Sequence, residues 1–242
     1  MSYMKEPVFS LKQSFEQFAS MIPGSVYVLD VLQKTICYVK ADDLFLCSFS
    51  TEEVTRLGYD FYARIIYAED LSLWTEAYKR MLQYVYEHEE EQEMIDFFSC
   101  TFRLQRPFSS VPRPLLQMVY HRMKPVWVDH ELRYMICSLE SSTYKEAGNL
   151  RLHYKGKYSY NEYDFVTNRW RQKQKEILTE REKVILILAQ QGKSTIEMSD
   201  ILCKGHNTIR NQIKVLFAKL ERHTMLGAIE LARNLRLVYP KK

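Results

Sequence analysis

At 242 residues the chain can build one large or two modest cores, and 46% hydrophobic with 26% charged residues is the composition of an ordinary globular protein, not a fibrous or disordered one. No apolar run approaches the roughly 18 residues of a membrane span, and "MSYMKEPVFSLKQSFEQF" at the start lacks the apolar stretch of a secretory signal. A cytoplasmic protein with no membrane partner is therefore expected. The net charge of +4 hides a split: residues 1–148 hold 15 Lys/Arg against 21 Asp/Glu, net −6, whereas 149–242 hold 19 against 9, net +10. Such asymmetry points to two domains, the second facing a polyanion.

In chain order, "GSVYVLDV" (24–31) and "TICYV" (35–39) read as two strands joined by the turn "LQK". Ser50 and Glu53 have the S-x-x-E spacing of a capping box and open a short helix ending near Gly58. After "YAED" (67–70), Leu71, Trp74, Tyr78, Met81, Leu82 and Val85 recur at helical spacing and predict a long amphipathic helix. The acidic run "EHEEEQE" (87–93) ends it as a solvated face. Three strand-like segments follow at 96–105, 115–128 and 132–141. The prolines of "PFSSVPRP" interrupt the first two, and "DHE" (129–131) makes a tight hairpin between the others. Residues 143–175 read as a connector whose Tyr154, Tyr158, Tyr160, Tyr163, Phe165 and Trp170 argue for packing on a domain or on a partner chain. The five cysteines, Cys37, Cys47, Cys100, Cys137 and Cys203, form no CxxC pair and are expected as free, mostly buried thiols in a reducing cytosol.

From Leu178 the local signals sharpen. "LTERE" supplies Thr179 as N-cap and Glu182 at N3, and Ser194 with Glu197 repeats the device for a short helix over 195–202. Gly192 is placed to stop the first of these helices. A third helix runs from about His206 to Leu220 and a fourth from Thr224 to about Arg236. Gly205, ahead of the third, can serve as N-cap or adopt a positive φ. On that third helix, Ile209, Ile213, Leu216 and Leu220 form one apolar stripe, while Asn207, Arg210, Asn211, Lys214 and Ala218 line the other side. The chain averages about one Asp or Glu per eight residues, yet 201–220 contains none. A helix about 22 Å long, buried on one side and rich in donors and cations on the other, suits the major groove of DNA. There Arg and Lys bond guanine O6 and N7, and Asn pairs with adenine.

The order of two strands, short helices, a long helix and three antiparallel strands, with Glu69-Asp70 ahead of the long helix, resembles the PAS domain over roughly 20–142. Residues 176–238 are similar to the LuxR-type helix-turn-helix family through "LTERE", "LAQQGKS", Glu197, Ile201-Leu202, "NTIRNQ" and "AKL". The combined expectation is an α+β protein. A PAS-like five-stranded antiparallel sheet with helices occupies 1–142, a connector 143–175, and an all-α four-helix helix-turn-helix domain 176–242. The resemblance implies a transcriptional regulator that reads bases with Arg210, Asn211 and Lys214, touches the DNA backbone through Thr195, Asn207, Thr208 and Lys219, and dimerises through the fourth helix. It also implies a small-molecule ligand or a protein partner at the PAS-like half. The chain departs from the family at Gly205, where Ser is usual, and at Gln212, Ser199, Lys204 and Gly227. These departures touch the operator sequence and the dimer contact.

Enzymatic readings find little support. There is no P-loop, G-x-S-x-G or HExxH motif, and Asp42-Asp43 lacks the doubly wound βα order of a phospho-receiver. No metal site and no cofactor is expected. A haem-loaded sensor would need a histidine on the long helix, which carries only His88 at its exposed end. A flavin-loaded sensor would need a reactive cysteine, and Cys37 and Cys137 read as core residues in strands. The alternatives left open are a haem- or flavin-loaded PAS-like sensor and a helix-turn-helix used for protein docking.

Overall fold

The computed structural model describes residues 11–22, 24–108 and 110–238. Residues 1–10, which open the expected sensor segment, and 239–242, which close the expected DNA-binding segment, lie outside the described residues. The chain divides into two compact units, one ending at Lys155 and one beginning at Gly156. Among the described residues no helix is long and apolar enough to cross a membrane.

The first unit runs α1 (Leu11–Met21), β1 (Ser25–Asp30), β2 (Thr35–Val39), α2 (Asp43–Leu46), α3 (Thr51–Leu57), α4 (Asp60–Ile65) and α5 (Ala68–Glu87). A 3₁₀ turn at Glu89–Met94 follows, then β3 (Ile95–Arg106), β4 (Leu115–Val128), β5 (Glu131–Ser141) and β6 (Gly148–Tyr154). Its strands lie in the order β2-β1-β5-β4-β3-β6, in antiparallel pairs. Local chemistry accounts for several of these elements. Ser50 and Glu53 form both halves of the capping box of α3. Asp42 accepts the Leu44 N–H at 3.1 Å and so starts α2, which gives the acidic pair a structural role. Asp129 and His130 both take positive φ, 51° and 66°, as a two-residue hairpin between β4 and β5 requires. Asp70, buried in the first turn of α5, accepts the Arg103 main-chain N–H at 2.7 Å and its Nε at 2.9 Å, fastening the helix to β3.

The sheet of this unit has six strands, not the expected five. The sixth lies in the stretch read as connector, where Leu150, Leu152 and Tyr154 are buried, as are Arg151 and His153 between them, and the strand pairs with β3, with Phe98 opposite Leu152 and Ile95 opposite Tyr154. Helices α2 to α5 pack on the sheet. Between them sits an aromatic layer with a polar centre. Tyr27 stacks on Phe45 at 4.0 Å, and its hydroxyl bonds His121 Nε2 at 2.7 Å and accepts from Tyr62 at 2.9 Å. Trp74 lies 4.1 Å from Tyr62. Burial pushes the His121 pKa down to about 3, so the ring is neutral.

Cys47, Cys100 and Cys137 are buried as expected, but Cys37 and Cys203 are exposed. Cys37 does not join the core as its strand context suggests; it lies on β2, the edge strand, where alternate side chains face water. His88, at the end of α5, is half-buried and not exposed, with its ring stacked 4.0 Å from Tyr84.

The second unit opens with a hairpin, β7 (Ser159–Asp164) and β8 (Arg169–Gln174), so the stretch 143–175, expected as a connector, holds three strands in all. Asp164 shapes the turn by accepting the Val166 and Thr167 N–H groups at 2.9 and 3.1 Å. Four helices follow: α6 (Glu180–Gln190), α7 (Thr195–Ile201), α8 (His206–Lys219) and α9 (Met225–Asn234). Both capping boxes, Thr179 with Glu182 and Ser194 with Glu197, are complete. Gly192 takes φ 78° at the end of α6. Ile209 and Leu216 are fully buried and Leu220 nearly so; at about 1.5–3 kcal/mol per large apolar side chain, this stripe seats α8 against α6, α7 and α9.

Candidate nucleic-acid interface

The outer side of α8 follows from the same helical period. With Ile209, Leu216 and Leu220 turned inward, Asn207, Thr208, Arg210, Asn211 and Lys214 are exposed. Thr195, at the start of α7, is half-buried. Gly205 sits in the N-cap with φ −61° and ψ 142°, the usual extended conformation there, but having no side chain it leaves α8 without a side-chain cap. The left-handed residue of the α7–α8 turn is Cys203, at φ 48°.

The cations on and beside α6 to α8 fall into two groups. Lys183 pairs with Glu180 at 2.6 Å, Lys193 with Glu197 at 3.1 Å, and Lys219 with Glu182 at 3.0 Å. Arg181, Arg210 and Lys214 have no such partner among the described residues. Lys219, expected at a phosphate, is thus set apart from Arg210 and Lys214, its ammonium held by the capping glutamate of α6. Burial would raise the pKa of Glu182, but the Thr179 N–H and the Lys219 ammonium outweigh that and hold it below its ordinary value. Glu197 is held at about 2, chiefly by the Ser194 N–H.

Two residues beside the expected set were not recognised in the sequence. Val215 is 62% exposed on α8, next to Asn211 and Lys214, an apolar spot of the type that meets a thymine methyl. Arg181, on the first turn of α6, lines one recess with Thr208 and Asn211. A β-branched residue outside the apolar stripe was the available signal for Val215. Arg181 had none, because its neighbours belong to a different helix.

No protein-family model matches the chain, and none of the curated proteins matches it. Among solved structures it is similar to the Vibrio cholerae VqmA–ligand–DNA complex, at 14% identity over 96% of this chain and 92% of that one, with a TM-score of 0.35. The VqmA dimer in the absence of target DNA, described with LuxR-type receptors, aligns over the same shares at 16% identity and a TM-score of 0.35. The phage VqmA–DPO complex aligns over 95% and 90% at 12% identity and a TM-score of 0.30. Likeness at this level leaves the functional reading to the chain's own residues.

Proposed function

We propose that this protein is a sequence-specific, DNA-binding transcriptional regulator of a bacterial cytoplasm, working as a homodimer. The observation that carries the reading is the outer face of α8. Over 201–220 the chain has no carboxylate, and Arg210, Asn211 and Lys214 stand exposed on a helix anchored from behind by Ile209, Leu216 and Leu220. A carboxylate there would meet phosphate charge, whereas unpaired cations release counterions on binding. Arg210, Asn211 and Lys214 read base edges; Thr195, Asn207 and Thr208 contact the backbone. On α9, Leu226 is 65% exposed and offers apolar surface for a second copy. The first unit, with its buried Tyr27–His121–Tyr62 centre, serves as the sensing or protein-contact half.

Selection of bound duplexes from a random pool tests the reading. A pseudo-palindrome with half-sites one helical turn apart, about 34 Å, is expected. Recovery of unenriched sequence would overturn it, as would binding indifferent to salt.

A further inference from the structure

The first turn of α6 and the outer side of α8 enclose a recess of about 380 Å³ lined by Thr179, Arg181, Ile185, Thr208, Asn211 and Val215, among others. Ile185 and Val215 make part of its lining apolar. Its rim carries the Arg181 guanidinium, exposed and without an ion-pair partner among the described residues. Glu182 also borders the recess. Its carboxylate is occupied, accepting from the Thr179 N–H at 2.7 Å, the Thr179 hydroxyl at 3.0 Å and Lys219 Nζ at 3.0 Å. Asn211 belongs both to this recess and to the face that carries Arg210 and Lys214. A duplex lying against that face therefore brings a flanking sugar–phosphate strand to the mouth of the recess.

We propose that the recess takes a DNA phosphate, with Arg181 as its cationic ligand and the Thr208 hydroxyl as a second donor, and that Lys219 positions α8 without touching phosphate. The proposal rests on the DNA-binding reading above. An arginine fork that is not committed elsewhere can meet a phosphate with two parallel N–H bonds. A lysine already neutralised by a carboxylate releases few counterions when a phosphate approaches, and leaving that carboxylate would strand Glu182. Arg181 and Lys219 therefore exchange the roles that chain position alone suggests for them.

The test uses the full chain and the duplex recovered by selection, with affinity read by fluorescence anisotropy across a series of KCl concentrations. Arg181→Gln should reduce the slope of log K against log salt by about 0.9 for each phosphate that is no longer neutralised. It should melt like the parent and keep the same ratio of operator to random-sequence affinity. Arg181→Lys should keep the parent slope while weakening binding. Lys219→Gln should keep the parent slope and melt at a lower temperature. An unchanged slope in Arg181→Gln overturns the proposal, and so does a Lys219→Gln slope that flattens as much as that of Arg181→Gln. If the parent chain binds no duplex, the DNA reading itself falls. That outcome is distinct from a parent that binds with a steep slope which Arg181→Gln leaves untouched.

Discussion

Lys219 Nζ donates to Glu182 Oε2 across 3.0 Å, joining the last turn of α8 to the first turn of α6 between residues 37 positions apart. The same oxygen accepts the Thr179 N–H, so one carboxylate caps one helix and anchors another. Lys219→Ala should cost roughly 0.5–1 kcal/mol, the upper range for a partly exposed pair. Glu182→Ala should cost more, about 1–2 kcal/mol, because the cap is lost as well. Urea unfolding of both single variants and the double variant checks this: the double should cost less than the sum of the singles.

Arg210→Ala and Asn211→Ala should each cost about 1–3 kcal/mol of specific binding and relax preference at one position of the site. Gel-shift titration against the selected duplex and single-base variants of it reads both effects. Retention of full specificity by Arg210→Ala would mean that another face of α8 does the reading.

The capping glutamates set an acid limit. Glu182 and Glu197 titrate below the ordinary 4.5 in the folded chain, Glu197 at about 2. The folded state thus binds fewer protons than the unfolded one in this range. The stability that these caps contribute is complete above about pH 4.5 and is lost as the pH falls toward 2. In thermal melts followed by circular dichroism, the variant carrying Glu182→Gln and Glu197→Gln should lose less melting temperature than the parent on acidification through that window.

His121 works over a different range. Its folded pKa of about 3 lies below the 6.5 of a free imidazole. The unfolded chain therefore takes up a proton first, and stability falls as the pH drops from 6.5 toward 3. Its ring signals should not titrate between about pH 8 and pH 5. Tyr27→Phe removes the hydroxyl that bonds His121 Nε2 and accepts from Tyr62. Leaving such buried groups unpaired should cost about 1–3 kcal/mol, measured by urea unfolding at pH 7.

What was legible in the sequence is what local chemistry determines. A capping box bonds side chain and backbone three residues apart, so Ser50–Glu53, Thr179–Glu182 and Ser194–Glu197 could be read directly, as could most of the stripe of Ile209, Ile213, Leu216 and Leu220, of which Ile213 is only half-buried. Strand β6 could not, because its partner β3 lies some fifty residues earlier and the Tyr-, Lys- and Asn-rich stretch around it obscures the alternation of Leu150 and Leu152. Helix α1 went unread, and α9 ends at Asn234, two residues short of the expected Arg236. The expected reading residues of α8 share one side because a helix places them there. Lys219 is set by its pair with Glu182 on another helix, and Arg181 by sharing a recess with Thr208 and Asn211 of α8; spacing along the chain encodes neither.

Gly205 brings no hydroxyl to the head of α8, and no side chain bonds the leading amides of that helix. The isolated protein thus keeps α8 slightly under-fastened, by a few tenths of a kcal/mol relative to a serine. Whatever acceptor reaches those amides also finishes the helix, so occupancy and local firmness rise together. The Thr208 N–H already donates to the Gly205 carbonyl at 2.9 Å, so the slower amide exchange that a bound duplex brings should fall on His206 and Asn207.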